Sequence, residues 1–227
     1  MVDKANKIDL EGLLELKEEE IKKKQPIEIE YLNKALQSIA KRQLYCLFHY
    51  DEFMKTSSPT ILLADRFNNN ENIPPEHTAR ISYEANALAF LHNLHSLFDS
   101  FPYVLNLLFR EIEDFTSFKI GWKEEFLKQY KKYSFYQELR SFSENETFCR
   151  LKGYTNTIKH KHLIRIKNHI NKLVFEDFTY KQKGVVKEVK EIDVKVFLTE
   201  CHDILFPLFI KLYNSIIENK KVEISNI

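Results

Sequence analysis

Hydrophobic residues recur every three or four positions through most of the chain, which is the spacing of helices with one buried face. In residues 9–24 this spacing follows Asp9, a residue type that commonly caps helix N-termini. The same spacing predicts a second helix from about Glu28 to Lys55. The residues predicted to face inward on this second helix are Leu32, Leu36, Ile39, Leu44, Leu47 and Phe48.

Residues 57–77 interrupt the helical pattern with three prolines and four asparagines, a composition typical of a long connection. Helical spacing resumes near Glu76 and continues past Pro102. Because proline lacks an N–H and its ring clashes with the preceding turn, Pro102 is predicted to kink or split this helix. A shorter helix is predicted near residues 122–133.

The pattern changes in the last third of the chain. Ser143 and Glu146 have the spacing of a capping box, which predicts that a helix begins there. Beyond Lys161, apolar and polar residues alternate, and β-branched and aromatic residues become frequent. A β-hairpin or meander is therefore predicted between residues 163 and 192. Asp193 is predicted to cap a long final helix.

These elements define the predicted fold class, which is mainly α. We expect an antiparallel helical bundle with a small β-hairpin inserted before the C-terminal helix. Residues 1–227 are predicted to form a single helical domain, with an N-terminal helix in residues 1–25 and the hairpin insertion at 163–192. A chain of 227 residues is long enough to bury a core of this kind.

Composition excludes several functional classes. The four glycines form neither a Gly-rich phosphate loop nor a dinucleotide fingerprint, and no apolar run reaches the roughly 20 residues that span a bilayer. The three cysteines are isolated and odd in number, which argues against a disulfide framework and fits a reducing compartment. The first residues lack the apolar stretch of a secretory signal, so we expect a soluble cytoplasmic protein with no membrane association.

Charge is distributed unevenly along the chain. Between Thr147 and Phe175 there are seven Lys and Arg residues and no Asp or Glu, although the net charge of the whole chain is +1. The remainder of the chain therefore carries a charge of −6. Such a cationic segment indicates either a polyanion-binding surface or a solvated face that acidic neighbours neutralise in the fold.

Other polar and aromatic groups have simpler interpretations. His92, His95 and Asp99 lie on one predicted helix face, but a polar seam is favoured over a metal site because no Glu-x-x-His pair accompanies them. Cys201 and His202 point about 100° apart on a helix, so core packing of Cys201 is favoured over a catalytic dyad. Core packing is likewise favoured over a small-ligand pocket for Phe98, Phe101, Tyr103 and Phe109. We therefore expect neither a metal nor a cofactor.

Asn156 and His160 are four residues apart, so a helix places both side chains on one face. A neutral imidazole at this position can take a proton from a ribose 2′-hydroxyl while the amide orients the substrate. Because the 2′-oxygen is then the nucleophile, RNA cleavage by this route requires no metal. The charge that develops on the phosphate requires a nearby cation, and the candidates are Arg150, Lys159 and Arg165.

Two segments, NALAFLHNLHSLFDSF (86–101) and YTNTIKHKHLI (154–164), resemble the HEPN (higher eukaryotes and prokaryotes nucleotide-binding) superfamily. The second segment contains an Asn-x-x-Lys-His element like that of bacterial members, and the resemblance extends in outline over residues 30–220. It implies a compact helical domain that acts in a bacterial defence or toxin–antitoxin type system.

The ribonuclease motif of this superfamily contains an arginine, a polar residue that is often asparagine, and a histidine. The last two positions correspond to Asn156 and His160, but the arginine position falls on Thr155, which carries no charge. The resemblance therefore implies an RNA-binding protein whose endoribonuclease activity is weak or absent, with Arg150 or Arg165 replacing the arginine if it cleaves. The residues expected to contact RNA are Lys152, Lys159, Lys161, His162 and Arg165.

An alternative function, from a different class, is a catalytically inactive helical homodimer that serves as an interaction or scaffold module. Homodimers that bring two motif helices together are common in the superfamily, so the resemblance implies self-association near residues 156–160. It also implies a protein partner encoded by a neighbouring gene, because toxin and antitoxin genes are usually paired.

Overall fold

The computed structural model describes residues 26–56, 75–169, 172–182 and 184–225, together with Ile8, Asp9, Gly12, Glu15 and Leu16. The fold is mainly α, with a small antiparallel strand cluster before the C-terminal helix, so the predicted fold class is confirmed. No helix in the described ranges combines the length and the apolar character needed to cross a membrane.

Within the described ranges the helices follow the predicted order, except that the helix Tyr136–Glu144 was not predicted. They are α1 (Pro26–Thr56), α2 (Pro75–Phe109), α3 (Glu124–Leu127), α4 (Tyr136–Glu144), α5 (Glu146–His160), α6 (Val194–Glu200) and α7 (Phe206–Ser225). A 3₁₀ turn, Lys128–Tyr130, continues α3, and a π-helical turn, Cys201–Leu205, joins α6 to α7. The long final helix predicted after Asp193 therefore consists of two α-helices and this turn.

The strands lie between α5 and α6, where the alternating pattern predicts them. They are β1 (Ile166–His169), β2 (Lys172–Phe175), β3 (Phe178–Gln182), β4 (Val185–Val189) and β5 (Ile192–Asp193). β2 pairs antiparallel with β1 and with β5, and β3 and β4 form a separate antiparallel hairpin.

The chain divides into two compact units. The first contains the described residues within 1–41, 96–145 and 205–227. Its core is rich in aromatic rings, and the ring of Phe98 lies 5.4 Å from that of Phe142 and 4.7 Å from that of Phe209. Phe98, Phe101 and Phe109 are buried, so these rings pack in the core as predicted.

Helix α2 continues through Pro102 rather than splitting there. Pro102 has no N–H to donate to the carbonyl of Phe98, one turn earlier. The indole of Trp122 donates a hydrogen bond from Nε1 to that carbonyl at 2.9 Å. A side chain distant in sequence therefore bonds the carbonyl that the proline cannot reach.

The second unit contains the described residues within 42–95 and 146–204. Tyr154 of α5 is at its centre, with ring centroids 4.6 Å from Phe175, 5.8 Å from Phe178 and 6.2 Å from Phe197. These rings attach the inner face of α5 to the strands and to α6. The outer face of α5 remains exposed.

Two of the three predicted helix caps are present. The Asp9 carboxylate accepts a hydrogen bond from the Gly12 N–H at 2.9 Å, and the Asp193 carboxylate accepts one from the Val196 N–H at 3.0 Å. The capping box at Ser143 is wrong, because this residue lies inside α4 and its hydroxyl donates to the Arg140 carbonyl at 2.7 Å. Most of the predicted N-terminal helix and residues 57–74 of the predicted connection lie outside the described residues.

The inward face predicted for α1 is only partly correct. Leu32 and Ile39 are buried, but Leu44, Leu47 and Phe48 are exposed by 63, 37 and 57%. The buried side instead continues through three residues that share a helical face, Cys46, Tyr50 and Phe53. Apolar residues therefore occupy two sides of this helix, and the periodicity alone does not distinguish them.

Candidate nucleic-acid interface

Helix α5 positions the Asn156 and His160 side chains as the sequence predicts. Its inner face carries the buried residues Phe148, Leu151 and Tyr154. Asn156 and His160 are exposed on the opposite side. The helix ends where the N–H groups of the next two residues both donate to the Thr157 carbonyl, at 2.9 and 3.2 Å.

Four polar residues share the exposed face of α5. Lys152, Asn156, Lys159 and His160 stand at positions i, i+4, i+7 and i+8, which fall within about 100° around a helix. Lys152 is half-buried and the other three are exposed. In the turn that follows α5, Lys161 and His162 are also exposed. We call the set Lys152, Lys159, His160, Lys161 and His162 the basic patch.

Three of the seven cations in the Thr147–Phe175 segment are neutralised by carboxylates. The Arg165 guanidinium lies 2.9 Å from the Glu176 carboxylate, and the Lys167 ammonium lies 2.7 Å from that of Glu191. The hydrogen bond from Arg165 also lowers the pKa of the Glu176 carboxyl. The predicted RNA contact at Arg165 is therefore exposed but already paired.

Arg150 is the third neutralised cation, and it is largely buried. Its guanidinium lies 3.1 Å from the Glu146 carboxylate, 3.3 Å from that of Glu200 and 5.8 Å from the ring centre of Phe197. Thr147 donates a further hydrogen bond to Glu200. Arg150 and Asn156 are six positions apart, which places the two side chains about 120° apart around the helix. The structure does not bring this predicted catalytic arginine together with Asn156 and His160.

The lysines of the basic patch differ from these three cations. Among the residues that the structure describes, no carboxylate lies within ion-pair distance of Lys152, Lys159 or Lys161. Lys172 at the start of β2 is also exposed and has no such partner in the described ranges. The lysines of the basic patch, together with Lys172, are thus the cations of this segment whose charge is not compensated by described neighbours.

Thr155, at the position of the motif arginine, faces the core. It is 2% exposed, and its hydroxyl donates to the Leu151 carbonyl at 3.0 Å. A long charged side chain at this buried position would lose its contact with water. This position therefore differs from the superfamily motif in two ways: its residue carries no charge, and its side chain is buried.

His92 of α2 is a neighbour of the basic patch that sequence reasoning did not associate with it. Burial lowers the pKa of His92, and the positive charge of Lys159 lowers it further. This electrostatic effect means that α2 and α5 bring the two residues near each other within the second unit. Helical periodicity predicts both helices but not which of their residues are neighbours.

The geometry does not support the metal site, the Cys201–His202 dyad or the small-ligand pocket considered from the sequence. Within the described ranges, no group of three His, Cys, Asp or Glu side chains could hold a metal ion. Cys201 is fully buried, and burial raises the pKa of its thiol. His202 lies against Asp203, with Nδ1 2.6 Å from Oδ1. A cavity of about 340 Å³ in the first unit is not lined by the four aromatic residues considered for a ligand pocket.

Comparison with known proteins adds no family assignment. The sequence matches no protein-family model, and neither the curated proteins nor the solved structures contain a match.

Proposed function

We propose that this protein binds single-stranded RNA through the basic patch. The observation that carries the proposal is the uncompensated charge of Lys152, Lys159 and Lys161 beside cations that carboxylates neutralise. Lysine side chains that neutralise phosphates release condensed counterions, which is the main source of sequence-independent affinity. Because the patch lies at a helix C-terminus, where carbonyl groups carry partial negative charge, phosphates contact side chains there rather than backbone N–H groups.

The size of the basic patch limits the affinity. Lys152 and Lys159 are separated by seven residues, or about 10 Å along the helix axis. A surface of this length contacts the phosphates of a few nucleotides. We therefore expect moderate affinity that depends strongly on salt, with little preference for base sequence.

Asn156 is the residue proposed to favour RNA over DNA. Its exposed amide carries both a donor and an acceptor, and it lies one helical turn from both Lys152 and His160. A ribose 2′-hydroxyl can form hydrogen bonds with both groups, whereas deoxyribose cannot. Replacing Asn156 with Ala is expected to reduce the difference between RNA and DNA of the same sequence, with the salt dependence unchanged.

Binding is the main activity that we propose, and cleavage is at most slow. His160 is exposed and can serve as a general base. Of the three cations considered for stabilising the phosphate, Arg150 and Arg165 are held by carboxylates, which leaves Lys159. A lysine offers a point charge rather than the bidentate fork of an arginine. A role in a defence or toxin–antitoxin system rests on the resemblance alone.

The proposal is tested by titrating the protein into fluorescently labelled single-stranded RNA at low salt, with EDTA present. We expect wild-type protein to raise the fluorescence anisotropy and Lys159→Ala/Lys161→Ala to weaken binding at least tenfold. The control, Lys119→Ala/Lys131→Ala, removes the same charge from two exposed lysines outside the patch and is expected to bind nearly as well as wild type.

Cleavage is followed in the same samples on denaturing gels. We expect little or no product from wild-type protein, and His160→Ala is expected to remove any product while retaining binding. Absence of binding at low salt would overturn the proposal, as would equal losses of affinity in the patch variant and in the control.

A further inference from the structure

The solvent side of α1 carries an apolar surface that the RNA-binding proposal does not use. Four consecutive or near-consecutive residues form it, and their exposed fractions are 63% for Leu44, 48% for Tyr45, 37% for Leu47 and 57% for Phe48. The core side of the same helix is formed by other residues, including Cys46 and Tyr50. Adjacent exposed apolar residues of this size on a polar helix are typical of a protein–protein contact.

Two of these apolar residues and the charged residues on either side of them have the spacing of a seven-residue repeat. Lys41, Leu44, Phe48, Asp51 and Lys55 are spaced alternately three and four residues apart. This is the spacing of the contact positions in a coiled-coil seam, where residues of one helix fit between those of another. The apolar residues occupy the middle of the seam and charged residues occupy its two ends.

The charged residues that flank Leu44 and Phe48 are opposite in sign and are placed symmetrically, whereas Lys55 at the far end is paired with Glu52. Lys41 precedes Cys46 by five residues and Asp51 follows it by five, while Leu44 and Phe48 stand two residues on either side. Both charged residues are exposed, and neither forms an ion pair with another described residue. An antiparallel copy of the same helix, related by a two-fold axis that crosses the seam at the level of residue 46, would place each lysine opposite an aspartate.

From this arrangement we propose that a second copy of the chain covers the exposed face of α1 and forms an antiparallel, two-fold symmetric helix pair. In this pair Leu44 of one copy packs against Phe48 of the other, and the reciprocal contact is identical, as an isologous interface requires. The two Lys41–Asp51 pairs at the ends fix the register and the direction of the helices. A parallel pair would instead place like charges opposite each other.

The proposal is tested by sedimentation velocity over a range of protein concentrations. Wild-type protein is expected to be dimeric at micromolar concentrations, and Phe48→Ser is expected to weaken association at least tenfold. The matched control is Phe118→Ser, which removes the same side chain from a position that is 82% exposed outside α1 and is expected to leave association unchanged. Circular dichroism checks that each variant is folded.

Charge reversal tests the antiparallel register. Lys41→Asp and Asp51→Lys are each expected to weaken the dimer several-fold, because each brings like charges together across the two-fold axis. The double variant Lys41→Asp/Asp51→Lys is expected to restore association to near the wild-type level. A monomeric wild-type protein, a dimer that Phe48→Ser does not weaken, or a double variant no better than the single ones would each overturn the proposal.

Discussion

Individual residues of the same type have different roles in this protein because their partners differ. The sequence shows seven cations without a carboxylate between Thr147 and Phe175, but Glu176, Glu191 and Glu200 neutralise three of them from outside the segment. Charge patterning along the chain could predict the excess of cations. It could not predict which cations are paired, because the partners are separated from them by as many as 50 residues.

The Arg150 pair provides a test of stability at the residue scale. Glu200→Gln is expected to lower the free energy of unfolding by about 1–3 kcal/mol, because it leaves a largely buried guanidinium with a weaker partner. The matched control is Glu146→Gln at the other partner of Arg150, whose side chain is 85% exposed, and we expect a change below about 0.5 kcal/mol. Urea denaturation of both variants measures the difference, and equal effects would contradict this description of Arg150.

His92 predicts how stability changes with pH. Its pKa in the folded protein is lowered from 6.5 by burial and by Lys159, so the unfolded chain binds a proton more readily than the folded chain does. The contribution of His92 to stability is therefore complete above about pH 6.5 and is lost as the pH falls through the lowered value. His92→Gln is expected to flatten this part of the curve when urea denaturation is repeated at several pH values. A curve of unchanged slope in the variant would contradict the assignment.

Elements were more predictable than the contacts between them. Spacing of apolar residues predicts α1 and α2 to within a few residues, and Asp193 is predicted to cap α6, since these signals are local. The capping box predicted at Ser143 lies three residues before the start of α5. The role of Trp122 at Pro102 was not predictable, because it depends on a hydrogen bond between residues 24 positions apart. The spacing places the exposed side of α1 in the core, because both sides of this helix carry apolar residues.

The contact between α5 and the β3–β4 hairpin depends on Gly153. A Cβ atom at this position would lie 2.5 Å from Cγ of Tyr180 in β3, which is too close for two carbon atoms. Alanine is favoured over glycine inside a helix by about 1 kcal/mol, but overpacking against a ring costs about 1–3 kcal/mol. We therefore expect Gly153→Ala to destabilise the protein in urea denaturation.

A second variant separates crowding from other effects of the alanine. In a Tyr180→Ala background the ring is absent, so Gly153→Ala is expected to be neutral or stabilising. The account of this contact would be wrong if Gly153→Ala were equally destabilising in both backgrounds.

At the scale of the whole molecule, a net charge of +1 conceals a local cationic surface whose extent is set by acidic neighbours. Glu176 is the neighbour that neutralises Arg165, which is the one predicted RNA contact outside the basic patch. Removing its charge is therefore expected to enlarge the surface available to phosphates. The local balance of charge, rather than the total, determines where a polyanion binds.

The effect of this larger cationic surface on RNA affinity can be measured. Glu176→Gln is expected to tighten binding of single-stranded RNA several-fold at low salt, because Arg165 becomes available to a phosphate. Glu144→Gln is the matched control, since it makes the same change in charge beside Arg140, outside the cationic segment, where the pair distance is 3.4 Å. Anisotropy titrations of the two variants would contradict the prediction if both increased the affinity equally.

The central claim, that phosphates bind the basic patch, is tested most directly by the slope of log Kd against log salt concentration. For single strands each neutralised phosphate contributes about 0.7 to this slope. Wild-type protein is therefore expected to lose affinity steadily as salt increases, and Lys159→Ala/Lys161→Ala is expected to reduce the slope by about 1.4. A slope that the two substitutions leave unchanged, or RNA binding that does not depend on salt, would contradict the claim.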